Sequence, residues 1–159
     1  MELLNKSVVV VGMAKSGLAA VELLAGQGAN VRAVDEKPGD AVRAQLAARG
    51  VPMQPQTPAA FEGADLIVIS PGVPADLPLL EDARAKGIPV IGELELASYY
   101  LKGKTIGITG SNGKTTTTAL TGHILQQAGV DCQVGGNIGT PPADMIETSR
   151  AGRWNVLEL

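Results

Sequence analysis

Thr105-Ile106-Gly107-Ile108-Thr109-Gly110-Ser111-Asn112-Gly113-Lys114-Thr115-Thr116-Thr117 passes from a β-branched run through a glycine loop into a helix-forming stretch. Strand, loop and helix in that order are the unit of a parallel α/β sheet. Glycines at 107, 110 and 113 let consecutive backbone N–H groups turn inward around phosphate oxygens. The start of the following helix adds its partial positive charge. In that frame Gly110, Ser111, Asn112, Gly113, Lys114, Thr115, Thr116 and Thr117 form a phosphate cradle. Lys114 can reach the β- and γ-phosphates of ATP, and the Thr115 hydroxyl can bind Mg²⁺. The common spacing G-x-x-x-x-G-K-[ST] asks for glycine at 108, where this chain has Ile108. The bland alternative is a glycine-rich β–α turn with a surface lysine, which leaves the coincidence of strand, glycines, lysine and threonine run unexplained.

Downstream, a strand is expected over Cys132–Val134, followed by the loop Gly135-Gly136-Asn137-Ile138-Gly139. A helix is expected over Ala143–Thr148 and a final apolar strand over Trp154–Leu159. Glu158 falls at the tip of that strand, where an acid can bind the same Mg²⁺ or be an ordinary half-exposed glutamate. Its position alone leaves both readings open. Residues 104–159 supply about three strands, fewer than a phosphate-loop domain uses to cover both faces of its sheet. The chain therefore reads as a fragment of a longer protein.

Upstream, Val8–Val11 is an apolar β-branched run ending at Gly12. A helix over Leu18–Ala25 and a strand over Asn30–Asp35 follow, then a helix over Asp40–Arg49. Val51–Phe61 carries three prolines and reads as loop with one short strand. Asp65–Ser70 is a buried strand, Asp76–Lys86 a helix and Ile88–Ile91 a strand. This alternation predicts an α/β fold, a Rossmann-like parallel sheet over residues 1–92. Glu93–Tyr100 reads as a connecting helix into a partial phosphate-loop domain, residues 93–159.

The turn Gly12-Met13-Ala14-Lys15-Ser16-Gly17 resembles G-x-G-x-x-G with alanine at the second glycine. Asp35 stands where a Rossmann fold puts its ribose-binding acid. Taken alone, these two features suggest NAD and an oxidoreductase. The generic reading is a nucleotide, with phosphate at the Ser16–Gly17 helix start and ribose or base near Asp35. Ser70-Pro71-Gly72 ends a strand at the edge where open α/β sheets bind ligands.

The 159 residues hold 45% apolar side chains, enough for a buried core. Thirteen Lys and Arg against 16 Asp and Glu leave a net charge of −3, which draws in neither nucleic acid nor an anionic membrane. With 3% aromatics a base-stacking platform is not expected. A single cysteine, Cys132, excludes an internal disulfide and a cysteine-cluster metal site. Met1–Ser7 lacks a signal-peptide pattern, and no apolar run is long enough to span a membrane. Neither His123 nor the pair Glu93 and Glu95 has a ligand-like arrangement, and all three are read as structural.

Read in order, GMAKSG at 12–17, Asp35, SPG at 70–72, GELEL at 92–96, TGSNGKTTT at 109–117, GGNIG at 135–139 and VLEL at 156–159 resemble the Mur ligase family. Within it they are most similar to the branch that adds D-glutamate to UDP-N-acetylmuramoyl-L-alanine in peptidoglycan synthesis. The resemblance covers the whole chain. Asn112 stands where the alanine-adding branch usually has histidine, and folylpolyglutamate synthase shares the phosphate loop but not the first domain. The resemblance implies a ligase that uses ATP and Mg²⁺ to phosphorylate the substrate carboxylate before the amine of D-glutamate attacks. Gly110–Thr117 would hold ATP, Lys114 would act on the transferring phosphoryl group, and Thr115 and Glu158 would bind Mg²⁺. Lys15 and Ser16 would lie near the UDP phosphates, and Asp35, Glu36 and Lys37 near the uridine. Ser70, Pro71 and Gly72 would flank them, with Asn137 toward the muramoyl-alanine. A cytoplasmic enzyme, monomeric at full length, is implied, with the D-glutamate site outside residues 1–159. The chain alone is not expected to complete the ligation.

Overall fold

The structure, a computed structural model, describes residues 1–159. It falls into two compact units, Met1–Leu96 and Ala97–Leu159.

The first unit is an open sheet of five strands. They are β1 (Ser7–Val11), β2 (Asn30–Val34), β3 (Met53–Gln54), β4 (Leu66–Ile69) and β5 (Val90–Gly92), in the order β3-β2-β1-β4-β5. Every pairing is parallel. The crossovers carry α1 (Lys15–Gly26), α2 (Asp40–Ala48) and α3 (Pro78–Ala85). Val8 to Val11 are all buried because both faces of this central strand are covered. Val9, Val11, Val34, Phe61, Ile67 and Leu80 pack into one cluster on one side of the sheet. Burial of each such side chain contributes about 1.5–3 kcal/mol. The chain order reverses between β1 and β4, the switch point at which parallel sheets of this kind open a crevice.

α4 (Glu93–Ser98) follows β5 directly. The second unit has β6 (Lys104–Ile108), α5 (Lys114–Gln127), β7 (Cys132–Gly136) and β8 (Trp154–Glu158), with β8 parallel to both neighbours in the order β6-β8-β7. Residues one apart along these strands face opposite sides. On one side Gly122 of α5 lies against Val134, and the Cys132 Sγ approaches the Gly122 carbonyl at 3.6 Å. On the other, buried Asn155 donates to the Lys102 carbonyl at 3.0 Å and accepts from Gln133 Nε2 at 2.6 Å. Leu120 and Ile124 of α5 face outward and are more than half exposed.

Two local expectations change. The segment expected as a helix over Ala143–Thr148 is a single 3₁₀ turn, Pro142–Met145. Pro141 and Pro142 stand at its N-cap and first position, where a missing N–H costs nothing, so they mark where the turn starts. At its end the Met145 carbonyl accepts from Gln133 Nε2 at 3.1 Å. α1 begins at Lys15, earlier than the apolar run from Leu18 suggests, because the glycine turn delivers the chain straight into helical conformation.

Candidate functional site

In the first unit the glycine turn leaves the C-terminal end of β1 at Gly12, whose φ is +87°. The Gly12 N–H donates to the Val34 carbonyl at 2.8 Å, and the Ser70 N–H donates to the Val11 carbonyl at 3.0 Å. The turn is thus tied to β2 and β4 by backbone before any side chain acts. Two side chains finish the work. One Asp35 carboxylate oxygen accepts the Met13 N–H at 2.7 Å, and the other accepts the Lys37 N–H at 2.8 Å. The Ser70 hydroxyl donates to the Gly12 carbonyl at 2.7 Å.

The residues predicted here are therefore brought together, with a division of labour. Asp35 and Ser70 shape the turn with their side chains. Lys15 and Ser16 open α1, which has no side-chain cap at Ala14. Glu36, Lys37, Pro71 and Gly72 are exposed around the same strand ends. A cavity of about 250 Å³ opens there, lined by Gly12, Asp35, Glu36, Gln56, Gly72 and Val73 among others. Gln56 and Val73 were not singled out in the sequence. Val73 had a signal, because it follows the SPG turn and its N–H donates to the Ser70 carbonyl at 3.0 Å. Gln56 had none, lying in a proline-rich loop that only the fold carries to this edge.

In the second unit β6 runs into the loop 109–113 and then α5. Gly113, the residue before the helix, is left-handed with φ +74°, and α5 has no side-chain cap. The N-terminal N–H groups of this helix are thus met by no capping side chain. Gly110, Ser111, Asn112, Thr115, Thr116 and Thr117 are exposed around the loop. The Lys114 ammonium reaches back to donate to the Gly110 carbonyl at 2.7 Å, so its charge lies across the loop.

Glu158 is paired in register with Ile108 on one side and Gly136 on the other. The loops after β6 and β7 and the tip of β8 therefore share one edge of the sheet. Asn137 is exposed there, and its N–H donates to the Glu158 carbonyl at 3.0 Å. Glu158 itself is buried, and its Oε2 has no hydrogen-bond partner. The half-exposed glutamate considered from the sequence is not what the fold produces. A buried carboxylate oxygen without a partner is costly and fits a cation ligand, directly or through water. The residues present fit Mg²⁺ to that extent. Thr118, three residues beyond Thr115, is fully buried with a hydroxyl that also lacks a partner.

His123 is exposed, Cys132 is buried, and no group of three or more His, Cys, Asp or Glu is placed to hold a metal. Glu93 is buried at the start of α4. No helix is long and apolar enough to cross a membrane.

Comparison with known proteins agrees with this architecture. Residues 6–92 match the model of the Mur ligase MurD-like N-terminal domain, and residues 108–152 match the Mur ligase middle domain. A UDP-N-acetylmuramoylalanine–D-glutamate ligase of Solibacter usitatus is 61% identical over 159 residues, all of this chain and 36% of that protein. One from Acidobacterium capsulatum is 48% identical over 164 residues, again 100% of this chain and 36% of the relative. The chain thus spans about a third of the length of these curated relatives. Among solved structures, a murein peptide ligase from Psychrobacter arcticus aligns with a TM-score of 0.58 at 19% identity, over 97% of this chain and 37% of that one. A UDP-N-acetylmuramate–alanine ligase from Thermotoga maritima aligns with a TM-score of 0.51 at 25% identity, over 96% and 36%. With a MurD-like first domain matched over residues 6–92 and a phosphate-loop unit matched to the middle domain, the chain belongs to the Mur ligase family.

Proposed function

We propose that the protein carrying this chain uses ATP to join D-glutamate to UDP-N-acetylmuramoyl-L-alanine, in the cytoplasm, as a step of peptidoglycan synthesis. The observation that carries the reading is the second unit's edge: an uncapped helix start, a lysine across the loop and a buried carboxylate lacking a partner. Those groups suit phosphoryl transfer and have no use in hydride transfer. The likeness to D-glutamate ligases at 61% identity supplies the substrates of the proposal.

In this reading Gly110–Thr117 wrap the triphosphate with backbone N–H groups, and Lys114 leaves the Gly110 carbonyl to neutralise charge on the γ-phosphoryl group. Thr115 and Glu158 would hold Mg²⁺, which would supply charge neutralisation. The substrate carboxylate attacks the γ-phosphorus, ADP leaves, and an acyl phosphate results. The amine of D-glutamate then displaces phosphate to form the amide. In the first unit, Lys15 and Ser16 at the start of α1 take the diphosphate. Asp35, Glu36, Lys37, Ser70, Pro71 and Gly72 surround the uridine, and Asn137 meets the muramoyl end. Asp35 spends a lone pair of each oxygen on backbone N–H groups, which suits a turn-forming acid better than the free ribose acceptor of an NAD site.

A thermal-shift titration with UDP-N-acetylmuramoyl-L-alanine, ATP–Mg²⁺ and NADH tests this. A ligand at one hundred times its Kd stabilises by about 2.7 kcal/mol. The UDP-sugar and ATP–Mg²⁺ are expected to raise the melting temperature and NADH to leave it unchanged. A shift with NADH alone would overturn the proposal. The 159-residue chain by itself is expected to form no amide product, and product from ATP, D-glutamate and the UDP-sugar would refute that part.

A further inference from the structure

Two buried oxygens of the second unit lack partners, Thr118 Oγ1 and Glu158 Oε2. They belong to different elements, and the register puts them on the same face of the sheet. Gly122 lies against Val134, and Cys132 touches the Gly122 carbonyl, so the even-numbered positions of β7 face α5. Val134 pairs with Val156 and Gly136 with Glu158, so Glu158 faces α5 as well. Asn155 and Gln133 are on the opposite side, bonded to each other and to the Met145 turn, as alternation requires.

The height follows from element geometry. The buried positions of α5 are Thr118 and Gly122, one turn apart on the face toward the sheet. Four helical residues rise about 6 Å. Two strand residues rise about 6.6 Å. α5 starts at the edge where the strands end, so one turn above the Val134 level is the level of Gly136 and Glu158. Thr118 is therefore on the face and at the level of Glu158, and both side chains are buried. Two buried oxygens at one level without protein partners are what a shared bridging water satisfies.

We propose that Thr118 is a positioning residue for Glu158: its hydroxyl holds the carboxylate, through one bridging water, in the orientation that faces the phosphate loop. This rests on the phosphate-loop reading above and extends it to a residue outside the loop. The bond ties the first turns of α5 to the tip of β8. A carboxylate held this way meets a cation without first having to be ordered.

The test compares Thr118→Val, which keeps the shape and removes the hydroxyl, with Thr118→Ser, which keeps the hydroxyl and removes a methyl. Without metal, thermal unfolding is measured for wild type, Thr118→Val, Glu158→Gln and the double variant. Thr118→Val is expected to lower the melting temperature by about 4 °C, and by much less in the Glu158→Gln background. A true orphan hydroxyl would give the opposite sign, since its removal stabilises. A rise, or additive shifts, would overturn the proposal. Should Thr118→Val not fold, Thr118→Ala replaces it in the same cycle.

The Mg²⁺ concentration for half-maximal ATP binding is then titrated. Thr118→Val is expected to need about tenfold more Mg²⁺ and Thr118→Ser to stay near wild type, with ATP affinity in EDTA equal in all three. A residue that only fills space would reverse that order, and that result would also overturn the proposal. If wild type shows no Mg²⁺-dependent ATP binding while the unfolding cycle is non-additive, the phosphate-loop reading falls and the Thr118–Glu158 coupling stands.

Discussion

The two glycine turns of this chain look alike in sequence and are built in opposite ways. The first, Gly12–Gly17, is closed by the protein itself. Met13 N–H, Gly12 N–H and Gly12 C=O are all taken up, by Asp35, Val34 and Ser70. Gly17 packs so tightly that a Cβ there would lie 1.8 Å from the Gly12 carbonyl oxygen. The second, Gly110–Gly113, is open. A Cβ on Gly113 would meet nothing within 4 Å, although the helix after each of the two turns lacks a side-chain cap. A turn whose polar groups are satisfied internally is a preformed wall for a ligand. A turn with open space around its glycine lets the backbone approach a ligand closely. The contrast teaches that a glycine motif has two physical uses, close packing and backbone donation, and that the spacing of glycines does not say which.

The largest effect should come from exchanging the two kinds of glycine. Gly17→Ala is expected to cost about 4 kcal/mol or more, because backbone must move to make room. Gly113→Ala should cost about 1–2 kcal/mol, the penalty of a left-handed residue with a Cβ. Chemical denaturation of the two variants checks this. Equal losses would erase the distinction between the turns.

A smaller effect in stability, but a larger one in function, is expected at Lys114. Its bond to the Gly110 carbonyl lies on an exposed loop, so Lys114→Met should change the melting temperature by no more than about 1 °C. ATP binding should weaken about 10–100-fold, the worth of a charge-assisted contact. Calorimetric titration separates the two. A stability loss without a loss of affinity would make the second turn a structural element like the first.

The smallest effect sharpens the comparison from the opposite edge of the first sheet. Asp65 accepts the Ser7 N–H at 2.8 Å, and this bond, more than the nearby Lys6 ammonium, holds its carboxyl below the ordinary 3.8 against the opposing effect of desolvation. A carboxyl depressed by folding contributes stability that is complete above its unfolded pKa and is lost as pH falls through the folded value. Asp65→Asn should therefore flatten the acid limb of the melting temperature below about pH 4. An unchanged acid limb would show that the bond does not persist in solution.

Much of this was open to reading in the chain. Val8–Val11 and Leu66–Ile69 announce strands buried on both faces, because apolar side chains fill every position rather than every second one. Lys114 following Gly113 at the end of a β-branched run announces the phosphate loop. The segment expected as a helix over Ala143–Thr148 is instead the turn Pro142–Met145, whose last carbonyl accepts from Gln133 Nε2, a partner that only the fold brings near.

Sequence by itself determined the alternation of strands and helices, the two glycine turns and the family likeness, since each rests on residues close together along the chain. Tertiary structure alone decided that Asp35 and Ser70 spend their polar atoms on the first turn. It alone decided that Glu158 is buried with an oxygen to spare, and that Thr118 is buried with a hydroxyl that has no partner. Those properties depend on which strands lie side by side and in what register, and pairing between segments tens of residues apart is set by the packing of the whole sheet rather than by any local run of residues.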